Sequence, residues 1–220
     1  VVSVAKLFKI LFENYPVYIW SFFLGLILAS IYFVGKTISK WDFKVIVSFL
    51  IGTALAVVIA FTKPASENAN FFYLIICGII AACSMILPGL SGSFVLILLG
   101  NYQLVMINAV TEFNAGILLP VVIGAGLGLI GFSYFLSWVF KTFRNQTIAI
   151  LTGFILGSLA IIYPWKHPIN ELLGNKIKTI GYNWYIPQIN TEFFIAVFFI
   201  LLGAGVLTAI ELHANRQQKN

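Results

Sequence analysis

The sequence predicts an all-α, polytopic membrane protein with about five transmembrane helices, a re-entrant hairpin broken at 88–93, and an inverted-repeat architecture. Three observations lead there. Only 9% of the 220 residues are charged, 60% are hydrophobic, and the mean hydropathy is +1.00. A soluble domain carries about 25% charged residues, so a water-facing globular enzyme, a disordered chain and a coiled coil are all excluded. The apolar residues also come in unbroken runs of about 20, the length of a spanning helix and not of the short alternating strands of a barrel. Finally, one pair of shorter runs is interrupted by Pro, Gly and Ser.

Taken in order, residues 1–13 read as the end of a preceding helix, with Lys6, Lys9 and Glu13 at its margin. Spanning helices are expected over 16–35, 44–62, 117–140, 146–163 and 193–212. The first starts at Tyr15-Pro16, and the second stops at Lys63-Pro64. The fourth ends at Tyr163-Pro164-Trp165-Lys166, where the longest polar stretch, 164–191, begins. Its aromatics Tyr182, Trp184 and Tyr185 suit a membrane interface. In the third span, Gly124, Gly126 and Gly128 superficially match part of a dinucleotide fingerprint. No strand precedes them, so close helix packing is the better reading. All of this forms one membrane domain, 1–220.

Residues 71–107 differ. Two arms of about 15 residues, short for spanning, flank Pro88-Gly89-Leu90-Ser91-Gly92-Ser93. This pattern predicts a hairpin that enters and leaves on one side, with its break near the middle of the membrane. Non-helical backbone survives there only where protein or a polar cavity satisfies it.

Gly25, Ile27, Leu28 and Ser30 reappear as Gly153, Ile155, Leu156 and Ser158, a shift of 128 residues. A re-entrant hairpin adds no net crossing, so the second copy runs opposite to the first, the parity of an inverted repeat. The same shift puts a partner of the 88–93 break before Val1. The expectation is therefore a chain truncated at its N-terminus, with a first hairpin missing.

The net charge of +6 comes from scattered loop and helix-end residues, and no basic run points to nucleic acid. Cys77 and Cys83 lie six apart in an apolar run without a neighbouring His, and read as small buried hydrophobes. No metal, cofactor or catalytic group is expected. Asp42, Glu112 and Glu192 are the acidic candidates for a coupling proton or sodium ion, each near a predicted helix end, where a solvated charge is the plainer reading.

The chemistry concentrates at the break. Pro88 ends one arm; Gly89 and Gly92 allow backbone to approach a ligand; Ser91 and Ser93 offer hydroxyls at the start of a helical arm. Free N–H groups there attract anions, and phosphate is the natural guess. The alternative is a turn whose serines only cap the second helix. No Arg or Lys lies in this stretch, so any counter-charge comes from elsewhere.

The run from Leu87 to Tyr102, with Pro88-Gly89-Leu90-Ser91-Gly92 followed by an apolar helix ending in Gly100-Asn101-Tyr102, resembles the second signature of the bacterial polyprenyl-phosphate (undecaprenyl-phosphate) transporter family. Glu13-Asn14-Tyr15-Pro16 and the run from Phe22 to Ser30 are also similar. The resemblance implies a flippase in the bacterial inner membrane. It would return undecaprenyl phosphate from the outer to the inner leaflet for cell-wall synthesis, holding the phosphate where two hairpins meet. By motif position Pro88, Gly89, Ser91, Gly92 and Ser93 would line that site, while the prenyl tail stays among membrane lipids.

Two other classes remain open. Undecaprenyl-pyrophosphate phosphatases use a similar loop, but Gly92 stands where they carry Arg, and no two Glu lie four apart here. An anion channel or small-solute transporter could also be built from a Gly/Ser-rich broken helix.

The loops 36–44 and 141–144 hold five basic residues, against Lys63 alone in the opposite short loops, which places the C-terminus in the cytoplasm. A single Cys introduced in loop 65–70, with Cys77 and Cys83 removed, is then expected to react with a membrane-impermeant thiol reagent added outside intact cells. Reaction only after permeabilisation reverses the orientation.

Overall fold

The computed structural model describes residues 11–12, 14–88, 90–173 and 176–217. The expected end of a preceding helix within 1–13 lies almost wholly outside these residues, as does Gly89. The architecture is helical. Among the described residues, five helices are long and apolar enough to cross a membrane: α1 (Pro16–Lys36), α2 (Phe43–Phe61), α5 (Ala115–Thr142), α6 (Arg144–Ile162) and α7 (Thr191–Gln217). Between α2 and α5 lie α3 (Phe71–Ile86), the seven-residue α4 (Gly92–Leu98) and a π-helical segment, Gln103–Ala109.

The helix starts follow local chemistry. Pro16 supplies the preset φ of a first turn. Asp42, Asn70 and Asn114 accept backbone N–H groups at the starts of α2, α3 and α5.

Packing joins the helices in pairs, α1 with α7, α2 with α6 and α3 with α5, and glycine makes each pair possible. Gly25 and Gly203 lie against the carbonyls of Ile200 and Phe22, and Gly153 and Gly52 against those of Phe49 and Ile150. Gly78 and Gly124 lie against those of Val121 and Ile75. A Cβ at any of the six would fall inside van der Waals contact of the partner backbone. The first two pairs use one contact set. Phe22 and Gly25 stand 128 residues before Ile150 and Gly153, and Phe49 and Gly52 stand 151 before Ile200 and Gly203.

Helix directions follow from these contacts. Gly124 and Gly128 meet Ile75 and Ile79, so α3 and α5 run parallel. Ile86 ends beside Ser133, Leu136 and Ser137, which leaves α3 about two turns short of the end of α5. The chain then turns back. Ala65 donates to the Leu98 carbonyl at 2.8 Å, and the Tyr73 hydroxyl to that of Leu99 at 2.9 Å, so α4 returns to the end where α3 began.

A buried asparagine secures this return. Asn101, 0% exposed, accepts from the Asn68 N–H at 2.9 Å and donates to the Asn68 carbonyl at 2.8 Å and to Cys77 Sγ at 3.6 Å. Gly100 beside it has φ +73°, and a Cβ there would also collide with the Ala65 carbonyl. The second arm is thus a short α-helix, a left-handed turn and a π-helical segment, and not one apolar helix.

The polar stretch 164–191 is no simple loop. Strands β1 (Lys166–Leu173) and β2 (Lys176–Trp184) form an antiparallel hairpin that pairs Lys166 with Trp184, with a bulge between Ile169 and Asn170. Its Ile180 packs on the cluster of Cys77, Leu96, Ile97 and Tyr102, which carries the β-hairpin onto the α3–α4 hairpin.

Gly124→Val should destabilise the protein by roughly 1–3 kcal/mol or more by forcing α3 and α5 apart. Gly126, on the same helix with nothing within 4 Å, should tolerate Val to within about 0.5 kcal/mol. Thermal unfolding of both variants in detergent distinguishes close packing from a general intolerance of α5.

Candidate functional site

α3 ends at Ile86 with Leu87 as its C-cap, and both Leu87 and Ser91 have extended backbone. Ser91 is the N-cap of α4: its Oγ accepts from the Phe94 N–H at 3.2 Å and lies 3.3 Å from Ser93 Oγ. Gly92 is buried against α3, where a Cβ would stand 3.0 Å from the Ala81 carbonyl and 3.2 Å from Met85 Cγ. The structure therefore brings Pro88, Ser91, Gly92 and Ser93 into one turn. It gives Ser91 the capping role that sequence offered as an alternative. At seven residues, α4 has little macrodipole of its own.

Both serines face a cleft of about 510 Å³, lined also by Leu90, Phe94, Ile97, Ile161, Thr179 and Tyr182. It is formed between the α3–α4 hairpin, the end of α6 and the β-hairpin. Ile97 and Tyr182 also line a larger groove of about 730 Å³, which runs under the β-hairpin to the 60–67 segment and contains Lys63, Glu67 and Glu171. An apolar groove lined by Phe61, Leu159, Tyr163, Trp184 and Ile186 flanks the β-hairpin.

The base of the β-hairpin closes the end of α6. Trp184 Nε1 donates to the Ala160 carbonyl at 2.6 Å, and Lys166 Nζ donates to that of Ile161. Both carbonyls belong to the last turn of α6, which has no intrahelical donors left for them. Lys166 is only 9% exposed. Its ammonium also lies 3.9 Å from the Trp20 ring centroid and 4.3 Å from that of Tyr182. Burial pulls the Lys166 pKa down to about 8 and pushes that of Tyr182 up, so the phenol stays neutral.

Sequence reasoning passed over Lys166 and Asn101. Lys166 looked like one base among several in a polar stretch, and Asn101 like the fading end of an apolar arm. The acidic candidates do not gather at the cleft: Asp42 caps α2, and Glu112 and Glu192 are exposed. Among the described residues, no group of three or more His, Cys, Asp or Glu could hold a metal ion.

Five spanning helices among the described residues define a multi-pass membrane protein. The model of the undecaprenyl phosphate translocase-like family matches residues 1–180. A polyprenyl-phosphate transporter of Vibrio cholerae is 39% identical, over 98% of this chain and 73% of its own length. A polyprenyl-phosphate transporter of Staphylococcus aureus is 28% identical, over 94% of this chain and 74% of its own length. The chain belongs to the undecaprenyl phosphate translocase-like family. No solved structure matches it.

Burial of Lys166 has a stability signature. Its folded-state pKa of about 8 lies below the ordinary 10.5, so between these values the unfolded chain binds more protons. Stability should rise with pH across that window, by on the order of 3 kcal/mol. Lys166→Met should remove the rise, as read from unfolding in detergent between pH 7.5 and 10.5.

Proposed function

We propose that this protein is a flippase for polyprenyl phosphate, returning undecaprenyl phosphate from the outer to the inner leaflet of the bacterial inner membrane for reuse in cell-wall synthesis. The phosphate is held at the tip of the α3–α4 hairpin by Ser91 and Ser93, with Pro88, Gly89 and Gly92 shaping the turn, and the prenyl tail remains in lipid. The observation that carries this reading is the pair of serine hydroxyls, 3.3 Å apart, opening on a cleft in a chain whose relatives are polyprenyl-phosphate transporters. A hydroxyl donates well to an anionic oxygen, and a mostly apolar wall suits the first part of a prenyl chain.

The geometry supports a re-entrant hairpin and an inverted repeat. The hydrogen bonds of Ala65, Tyr73 and Asn101 return the hairpin to its starting end. The α1–α7 and α2–α6 pairs share one contact set although α1 and α6 run in opposite directions. The basic short loops lie at the other end of the bundle, so the hairpin opens toward the outer face, where the spent carrier is collected. A coupling proton or sodium ion would drive the return.

Transport is favoured over phosphatase chemistry by Gly92. A Cβ here would stand 3.0 Å from the Ala81 carbonyl, a tight fit for the Arg that would steady a pentacoordinate phosphate.

Ser91→Leu or Ser93→Leu should abolish movement of polyprenyl phosphate across reconstituted vesicles, while Ser93→Ala should weaken it by about 1.5–3 kcal/mol, one hydrogen bond to a charged group. Unimpaired movement with both Leu variants would remove the hairpin tip from the site.

A further inference from the structure

The α3–α4 hairpin offers hydroxyls but no positive charge, and the structure shows where one is stored. Lys166 is more than nine-tenths buried, and its contacts are a neutral carbonyl and two aromatic rings. No carboxylate pairs with it among the described residues. A buried ammonium without an anion is costly, since a carbonyl and ring faces replace only part of its hydration. Two of its three partners, Ile161 and Tyr182, are also walls of the cleft that Ser91 and Ser93 open on. The ammonium is therefore held by two residues that also wall the cleft. A lysine stem with three rotatable donors can move between the Ile161 carbonyl and an anion without disturbing the strand that carries it.

We propose that Lys166 is the counter-charge for the phosphate of the lipid substrate, reaching the Ser91–Ser93 cleft from the β-hairpin; this rests on the reading of that cleft as the headgroup site. Trp20 of α1 and Tyr182 of β2 hold the ammonium in place, and the anion supplies the neutralisation that the fold withholds. The β-hairpin then sets selectivity: a phosphate lipid gains an ion pair in the cleft, and the corresponding uncharged alcohol does not. The competing role is purely structural, a cation closing the last turn of α6.

The test measures binding of polyprenyl phosphate and of the matching uncharged polyprenol to the full-length protein in nanodiscs of neutral lipid. The variants are Lys166→Gln, which keeps a donor for the Ile161 carbonyl but removes the charge, and Lys166→Arg, which keeps the charge. The expected result is that Lys166→Gln loses roughly tenfold or more of its affinity for the phosphate lipid. Its polyprenol affinity should be unchanged, and Lys166→Arg should retain most of the phosphate preference. Phosphate-lipid affinity within about twofold of wild type in Lys166→Gln overturns the role of Lys166 while leaving the cleft reading intact. Equal loss of both lipids assigns Lys166 to structure and overturns it too. If the wild-type protein binds the phosphate lipid no better than the alcohol, the headgroup reading itself falls and takes this inference with it.

Discussion

A lipid bilayer offers no water to a bare peptide group, so every break in a helix inside it must be satisfied by the protein. On the proposed re-entrant reading the α3–α4 hairpin is such a break, and Asn101 closes its open end. With no exposed surface, this one side chain binds both backbone polar groups of Asn68 and touches Cys77, tying the end of the second arm to the start of the first. Gly100 makes the turn into it, in a left-handed conformation pressed on the Ala65 carbonyl.

The glycine contacts serve the same end from outside. Where two helices meet backbone to backbone, neither can slide or rotate without a clash, which makes each pair a stiff unit. The α3–α5 pair holds one side of the hairpin, and the α2–α6 pair places the end of α6 where Ile161 can face it. Motion is then most easily accommodated between pairs rather than within them. The polar elements sit at those joints: the hairpin tip, the β-hairpin and the Lys166 ammonium between α1, α6 and β2.

How much of this the sequence revealed depended on the range of the interactions. The spanning helices were legible because a run of about 20 apolar residues has few other stable forms. The break was legible because Pro, Gly and Ser are written locally. The Gly25/Gly153 match marked two helices that use one contact set, but only the structure supplied their partners, Ile200 and Phe49. The β-hairpin was hidden by the polarity and Pro content of 164–191. Lys166 and Asn101 were unreadable for one reason: each acts on residues far away in the chain, with Asn101 bonding Asn68 and Lys166 lying over Trp20.

The central claim is that the phosphate of the carrier lipid sits between the hairpin tip and the β-hairpin. It is tested most directly by an electron cryomicroscopy map of the protein in nanodiscs with polyprenyl phosphate bound. The account predicts phosphate density within hydrogen-bonding distance of Ser93 Oγ and Lys166 Nζ, with the first prenyl units against Phe94 and Ile97. Phosphate density in the groove beside Lys63, or on the outer face of the bundle, with the cleft empty, would contradict it.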